Sequence, residues 1–216
     1  MKPVEVQVTY DFICPWCWIG HHHLRAALEQ SGVAVQLRYM PFELNPDMPM
    51  AGIDRKEYRT RKFGSWANSQ AKDADLTARG KQAGAEFRFD LVKVTPNSRL
   101  AHRLMRLVQG QDAAKQAWQL YDSIYAAYFN QGRDIGALDV LVELAAASGF
   151  DATKVRAYLE SDEGELEVAA QEEQARQMGV NGVPHFVIGG YQISGAQPVG
   201  VIVGALQTVA AQEALV

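Results

Sequence analysis

The chain has no excess of positive charge, no long hydrophobic run and no low-complexity segment. Its 21 Lys and Arg residues are outnumbered by 25 Asp and Glu residues, which gives a net charge of -4. Nucleic-acid-binding domains are usually basic, so nucleic acid is not an expected partner. Nothing resembles a transmembrane span, and the N-terminus lacks the apolar core of a secretory signal. We therefore expect a cytoplasmic protein with no membrane partner.

Cysteine is also scarce, because Cys14 and Cys17 are the only two among 216 residues. All thiol chemistry must therefore belong to this pair. A structural zinc site needs four ligands, and the nearest histidines, at positions 21–23, point in different directions around a helix. We expect these histidines to form a polar helix face. Persistent structural disulfides are uncommon in the cytoplasm, so redox chemistry is favoured over metal binding or structural thiols.

The cysteine pair lies between a strand-like run and a helix-like run, which places Cys14 at a predicted helix N-terminus. The unpaired N–H groups and the dipole of a helix stabilise a thiolate there. Pro15 suits the first helical position, since its missing N–H costs nothing. Cys17 follows one turn later, where it can resolve a mixed disulfide. Trp16 and Trp18 are expected to shield the site and to form an apolar rim for substrates.

The first 44 residues predict a β-α-β unit. Val4, Val6 and Val8 alternate with polar residues, as in a half-buried strand. A helical pattern follows, and Gly32 is the residue expected to end it. Residues 33–39 alternate again, and the crossover is long enough for the two strands to be parallel.

The middle of the chain, residues 45–162, is predicted to be mainly helical. A polar helix-favouring stretch runs from Asp73 to Gly84, a short extended piece is expected around residues 87–89, and four helical stripes lie between residues 100 and 159. One stripe carries tyrosines at 121, 125 and 128, which are expected to pack the insertion against the rest of the chain.

After residue 162 the pattern returns to that of the first segment. A Glu- and Gln-rich helix, a strand from Val183, a Gly189-Gly190 turn, a return strand and a closing helix are predicted. The expected fold is therefore α/β. Residues 1–44 and 163–216 would form one domain of the common size of ~100 residues, and residues 45–162 an inserted helical domain.

Four blocks of sequence resemble the DsbA branch of the thioredoxin superfamily. They are FICPWCWIG at 12–20, NSRLAHR at 97–103, GVNGVPHF at 179–186 and GAQP at 195–198. Their order and content are similar to those of the FrnE-like and 2-hydroxychromene-2-carboxylate isomerase-like group. The resemblance implies a thioredoxin fold that carries a large all-helical insertion.

The resemblance also implies the position of a substrate site. In this superfamily the proline matching Pro184 is cis and faces the dithiol, which leaves the Val183 backbone free to pair with an extended substrate. A groove roofed by the helices of residues 97–159 is expected beside the nucleophile. The residues expected to bind substrate there are Trp16, Trp18, Val183, Pro184, Asn97 and His102.

The motif and the resemblance together predict a thiol–disulfide oxidoreductase. Cys14 would be the nucleophile and Cys17 the resolving thiol, in a cycle that oxidises, reduces or isomerises disulfides. The expected partner is a protein or small molecule that carries a thiol or disulfide. No cofactor and no metal is expected besides the dithiol, and glutathione is a candidate co-substrate.

The main alternative is a glutathione-dependent isomerase or transferase that acts on an aromatic or electrophilic small molecule. Relatives with that activity share the fold but usually carry serine at the position of Cys14. They also tend to have a Ser/Asn-Asp-Arg element near the last helix, whereas residues 195–198 contain neither an acid nor an arginine. A third alternative is a partner-binding or chaperone-like module that uses the apolar rim.

Several other residues have both a structural and a functional interpretation. Asn97 suits a helix N-cap as well as the cleft. Asp11 suits a turn-stabilising side chain better than a proton relay. Arg99, His102 and Arg103 suit a solvated helix face better than a cationic wall that holds a substrate carboxylate.

Overall fold

The computed structural model describes residues 3–109 and 114–214. Within these ranges the chain forms a four-stranded sheet, a two-stranded ribbon and nine helices. In chain order the elements are β1 (Val4–Tyr10), α1 (Pro15–Ser31), β2 (Val35–Pro41), β3 (Ile53–Asp54), α2 (Arg55–Phe63), α3 (Trp66–Ala83), β4 (Val94–Thr95), α4 (Arg99–Gln109), α5 (Ala114–Phe129), α6 (Leu138–Ala147), α7 (Ala152–Glu160), α8 (Glu165–Gln177), β5 (His185–Ile188), β6 (Tyr191–Ser194) and α9 (Val199–Glu213).

The four-stranded sheet has the order β2-β1-β5-β6. β1 and β2 are parallel, with Val4 opposite Val35, and α1 is the crossover between them. β5 is antiparallel to β1 and forms a hairpin with β6. This mixed sheet and the helices between β2 and β5 confirm the DsbA-like thioredoxin fold with a helical insertion.

Helix α1 begins and ends at the residues that its sequence predicts. Cys14 is the N-cap residue, with an extended backbone (φ -93°, ψ 111°), and Pro15 occupies the first turn. At the other end Gly32 has φ 63°, a left-handed conformation that glycine adopts without steric cost. Its N–H donates to the Leu28 carbonyl at 3.1 Å, which satisfies one of the last carbonyls of the helix. The helix start is thereby placed directly after the turn that leaves β1.

The insertion and the α/β part share one apolar core. Tyr121 of α5 stacks on Tyr39 of β2, with ring centroids 4.4 Å apart, and meets Tyr10 of β1 at 4.8 Å. Tyr125 lies 4.9 Å from Phe12. These contacts confirm the expected packing role of the tyrosine stripe. The division at residues 44/45 and 162/163 stays a prediction, since the core is continuous across it.

Three details of the middle segment differ from the sequence prediction. Helix α3 begins at Trp66 rather than near Asp73, because the Ser65 hydroxyl caps it by accepting from the Asn68 N–H at 3.1 Å. The piece around residues 87–89 is not a strand. Instead the short strands β3 and β4 pair with each other and connect the start of α2 to the segment before α4. No helix of the described residues is long and apolar enough to cross a membrane.

Candidate active site

The two cysteines lie where the chain leaves β1 and enters α1. The Cys14 N–H donates to the Asp11 carbonyl at 3.1 Å, and the Cys17 N–H donates to the Cys14 carbonyl at 3.1 Å. Both thiols are free. Cys14 retains 5% of its surface in contact with solvent and lines a groove, whereas Cys17 retains 1% and belongs to the core. Both thiols are therefore largely buried, and of the two it is Cys14 that contributes to the wall of the groove.

The burial of Cys17 has an electrostatic consequence. Desolvation raises the pKa of the Cys17 thiol well above its ordinary value, and its hydrogen bond with the Cys14 side chain raises it further. The Cys17 thiol is therefore protonated at neutral pH. Of the two thiols, Cys14 is the one that can react with a substrate entering the groove.

The loop before β5 reaches the same point. The Cys14 thiol donates to the carbonyl oxygen of Val183, with the sulfur 3.5 Å from the oxygen. The peptide bond between Val183 and Pro184 is cis. The close approach depends on Gly20 of α1, since a Cβ there would lie 3.0 Å from Pro184 Cγ. The structure therefore brings Cys14 next to Val183, which lies 169 positions further along the chain, and to the adjacent Pro184.

A groove of about 760 Å³ opens beside Cys14. This volume is within the range of ~300–1,000 Å³ typical of small-molecule sites. One side consists of residues 13–16, and the opposite side consists of α2 and α3. The sequence prediction assigned the roof to residues 97–159, but of the described residues in that range only Tyr128 and Phe129 line the groove. Residues of α2 and α3, which precede that range, supply much of the lining instead.

The two tryptophans of the motif have different surroundings. Trp16 is 37% exposed and lines the groove, as expected. Trp18 is buried, packs against Phe87 at 5.1 Å, and donates from Nε1 to Asp122 at 3.3 Å. The expectation that Trp18 lines the rim was wrong. Two positions along a helix correspond to about 200° of rotation, so Trp16 and Trp18 face opposite ways.

His102 and Asn97 do not reach the groove either. His102 is 1% exposed, packs on Tyr10 with ring centroids 5.1 Å apart, and has Nε2 3.4 Å from Asp11 Oδ1. Asn97 donates from Nδ2 to the Met48 carbonyl at 2.7 Å and accepts from the Arg99 N–H at 2.9 Å. Their assignment as substrate-binding residues was therefore wrong. His102 therefore packs within the core, and Asn97 connects the segment before α4 to Met48 and to the first residue of α4.

The cationic residues of α4 are likewise engaged within the protein. Arg99 donates from Nε to Glu43 Oε2 at 2.7 Å. Arg103 is buried and donates to backbone carbonyls after α7, including that of Glu163 at 2.9 Å. These residues form neither the solvated helix face nor the cationic wall considered from the sequence. They connect α4 to Glu43 and to the segment that follows α7.

Asp11 stabilises the turn before the cysteines. Its carboxylate accepts from the Ile13 N–H at 3.2 Å and from the Leu44 N–H at 2.7 Å. Its side chain is fully buried. This is the turn-stabilising role favoured from the sequence.

The histidine run of α1 is not a uniform polar face, contrary to the prediction. His21 is buried against Trp118, with ring centroids 4.3 Å apart, and burial lowers its pKa to about 3. His23 lies at the surface, with Nδ1 2.9 Å from the Gln197 carbonyl oxygen. Within residues 3–109 and 114–214, no group of three or more His, Cys, Asp or Glu side chains is arranged to hold a metal ion.

Sequence reasoning missed the residues on the far side of the groove. Four cationic side chains line it there, all from α2 and α3: Arg55, Arg59, Lys62 and Lys72. The sequence did indicate that Arg55, Arg59 and Lys62 share one face of a helix, because they are spaced four and three residues apart. What the sequence did not show was that this face turns toward Cys14.

A thioredoxin-type sheet with a Cys-x-x-Cys pair at the start of α1, and with helices inserted after β2, defines the DsbA-like class of thioredoxin-fold proteins. The sequence itself matches the same class. Residues 5–207 fit the family described as DSBA-like thioredoxin domain, and the chain belongs to that family.

Comparison with solved structures supports this family and fold. A probable DsbA oxidoreductase, SCO1869 of Streptomyces coelicolor, is 30% identical, with a TM-score of 0.84 over 96% of this chain and 90% of that one. A 2-hydroxychromene-2-carboxylate isomerase is 16% identical, with a TM-score of 0.74 over 97% and 98%. The cytosolic disulfide reductase DsbM of Pseudomonas aeruginosa with glutathione is 17% identical, with a TM-score of 0.66 over 96% and 98%. The last two comparisons concern the fold alone.

Proposed function

We propose that this protein is a thiol–disulfide oxidoreductase in which Cys14 attacks and Cys17 resolves. The observation that carries the proposal is the difference between the two thiols. Cys14 caps α1 and lines an open groove, whereas Cys17 is enclosed, with a raised pKa. A pair used for structure alone has no need of a groove at one of its sulfurs.

The reaction begins at Cys14. Its thiolate attacks one sulfur of a substrate disulfide, so that the substrate S–S bond breaks and a mixed disulfide forms. The released substrate thiolate takes a proton. Cys17 then loses its proton and attacks Cys14 Sγ, which closes the Cys14–Cys17 disulfide and releases the second substrate thiol. Two electrons pass from the dithiol to the substrate, and the reverse sequence oxidises a substrate dithiol.

Three further residues are assigned to substrate binding in this proposal. The Val183 backbone lies beside Cys14, where it can pair with an extended substrate once the thiol contact is released. Pro184 holds that segment against Gly20, and Trp16 offers an exposed aromatic face at the groove. A cytoplasmic location is part of the same proposal.

The two cysteine variants form a matched pair of tests. Cys14→Ser should abolish exchange with a model disulfide substrate, since no attacking thiol remains. Cys17→Ser should still react once and then retain the substrate as a mixed disulfide on Cys14. Non-reducing mass spectrometry of the quenched reaction distinguishes the two outcomes. Full exchange activity in Cys14→Ser would contradict the proposal.

A second candidate is a glutathione-dependent isomerase or transferase acting on small molecules. It is favoured by the groove beside Cys14 and by the likeness in fold to an isomerase and to a disulfide reductase with glutathione. In this case Cys14 or bound glutathione would react without a disulfide cycle. Micromolar binding of reduced glutathione by calorimetry, with turnover unchanged in Cys17→Ala, would support it. Absence of binding would reject it.

A further inference from the structure

The groove beside Cys14 is positively charged, although the protein as a whole carries a net charge of -4. Among the residues that the structure describes, its lining includes four cationic side chains and a single carboxylate, that of Asp75. Asp75 is itself engaged by Arg79, with Nε 2.9 Å from Oδ2. The groove therefore presents positive charge next to the reactive thiol, and the distribution of charge, not its total, determines what it attracts.

The four cations are not equivalent. Arg55 and Arg59 share the carboxylate of the buried Asp73, which neutralises part of their charge. By contrast, neither Lys62 nor Lys72 has an ion-pair partner among the described residues. These two lysines are the charges of the groove that remain available to a ligand.

Aromatic side chains hold the two lysines in place. Lys62 donates to the Tyr58 hydroxyl at 3.0 Å, and that hydroxyl donates to Asn45 Oδ1 at 2.8 Å. Lys72 Nζ lies 5.2 Å from the centroid of the Phe63 ring. Cation–π contacts of this kind attract an ammonium group without neutralising its charge. The groove therefore combines positioned ammonium groups with the apolar surface of Phe63 and Phe89.

We propose that Lys62 and Lys72 select disulfide substrates whose reacting cysteine is flanked by acidic residues in a peptide segment. This inference rests on the proposed function, since it concerns the partner of Cys14. The peptide backbone would extend from Val183 past Cys14 into the groove, where its carboxylates meet the ammonium groups of α2 and α3. The groove is lined by apolar as well as charged side chains, which suits a peptide segment with both kinds of side chain.

The test uses single-turnover exchange between the reduced protein and two peptide homodisulfides. The peptides are identical except that the cysteine is flanked by Glu in one and by Gln in the other. Reaction of the Glu peptide should be faster by about fivefold at low ionic strength, as expected for two exposed ion pairs. The preference should shrink as salt is added, because salt screens exposed charges.

The variant for this test is the double substitution Lys62→Gln and Lys72→Gln. It should remove the preference, so that the Glu and Gln peptides react at equal rates. The matched control is Lys56→Gln with Lys81→Gln, which removes two exposed lysines from the same two helices outside the groove. The control should keep the preference. Thermal unfolding of both variants shows that each is folded.

The outcomes separate this inference from the proposed function. Failure of both peptides to react with the parent protein would overturn the oxidoreductase proposal and this inference with it. Equal rates for the two peptides, or equal losses in the two double variants, would overturn the inference alone. A third substrate, glutathione disulfide, gives one further outcome. If the double variant slows the reaction with glutathione disulfide but with neither peptide, the acidic peptide is rejected, and the two lysines select a small anionic disulfide instead.

Discussion

Three consecutive histidines in α1 have three different surroundings. His21 is buried between Trp118 and Tyr121, His22 is half-buried, and His23 is near the surface beside the Gln197 carbonyl. Asp122 lies 3.6 Å from His21 Nε2, yet burial outweighs this charge and lowers the pKa of His21 to about 3. A buried neutral histidine of this kind makes stability depend on pH.

The first prediction concerns this histidine. Between about pH 6.5 and pH 5 the unfolded chain binds a proton at His21, whereas the folded chain does not. The free energy of unfolding should therefore fall with acid by up to about 1.36 kcal/mol per pH unit from this residue. His21→Phe, which keeps an aromatic ring, should reduce the slope in this window but not abolish it, because burial also lowers the pKa of His22 and of His185. Urea unfolding at a series of pH values measures it.

The control for this prediction is His23→Gln, since His23 is not enclosed in the core. It should leave the slope between pH 6.5 and pH 5 unchanged. Asp122 contributes little in this window, because its pKa is lowered below its ordinary value of 3.8. An identical slope in His21→Phe and the parent protein would show that His21 is protonated in the folded chain.

At the scale of elements, the site depends on how closely α1 approaches the start of β5. Gly20 is the point of contact, where a Cβ would lie 3.0 Å from Pro184 Cγ and 3.1 Å from Phe186 Cζ. In an ordinary helix alanine is favoured over glycine, so the glycine here has a packing reason. It allows the N-terminal turn of α1, with Cys14, to lie against Val183.

The second prediction follows from this contact. Gly20→Ala should destabilise the protein by about 1–3 kcal/mol, because the new methyl group overpacks a region that cannot easily shift. The matched control is Gly204→Ala in α9, where a Cβ meets nothing within 4 Å. This control should stabilise the protein by about 0.5–1 kcal/mol through helix propensity. Denaturant unfolding measures both, and effects of the same sign would contradict the close contact.

At the scale of the whole molecule, the insertion supports the cysteine turn. The Tyr125 hydroxyl of α5 donates to the Asp11 carbonyl at 2.9 Å, and the same carbonyl accepts from the Cys14 N–H. A residue 114 positions away therefore stabilises the turn that presents the nucleophile. The helices of the insertion thus take part in the structure of the site even where they do not line the groove.

The third prediction tests this connection. Tyr125→Phe removes one buried hydrogen bond and should cost about 0.5–1.5 kcal/mol of unfolding free energy. Tyr39→Phe is the control, since its hydroxyl is also buried but has no protein partner within residues 3–109 and 114–214. It should cost close to nothing. Thermal unfolding compares the two, and equal losses would mean that the Asp11 bond does not stabilise the fold.

The sequence by itself determined the elements of the α/β part and the chemistry of the motif. The strand before the cysteines, the Pro15 start and Gly32 end of α1, and the glycine turn between β5 and β6 follow from local signals, which act over a few residues. The cysteine spacing placed one thiol at the N-cap of α1 and the other in its first turn. Family resemblance then supplied the fold, because its four motifs span most of the chain.

Only the tertiary structure decided which side chains face the groove. Trp18, Asn97 and His102 were expected there but are enclosed, whereas Lys62 and Lys72 were not expected and line it. Which side of a helix is exposed depends on the elements that pack against it, and those elements are far away in the chain. A local pattern shows that a residue is aromatic, polar or charged, but packing across the whole molecule determines whether that residue meets the substrate or the core.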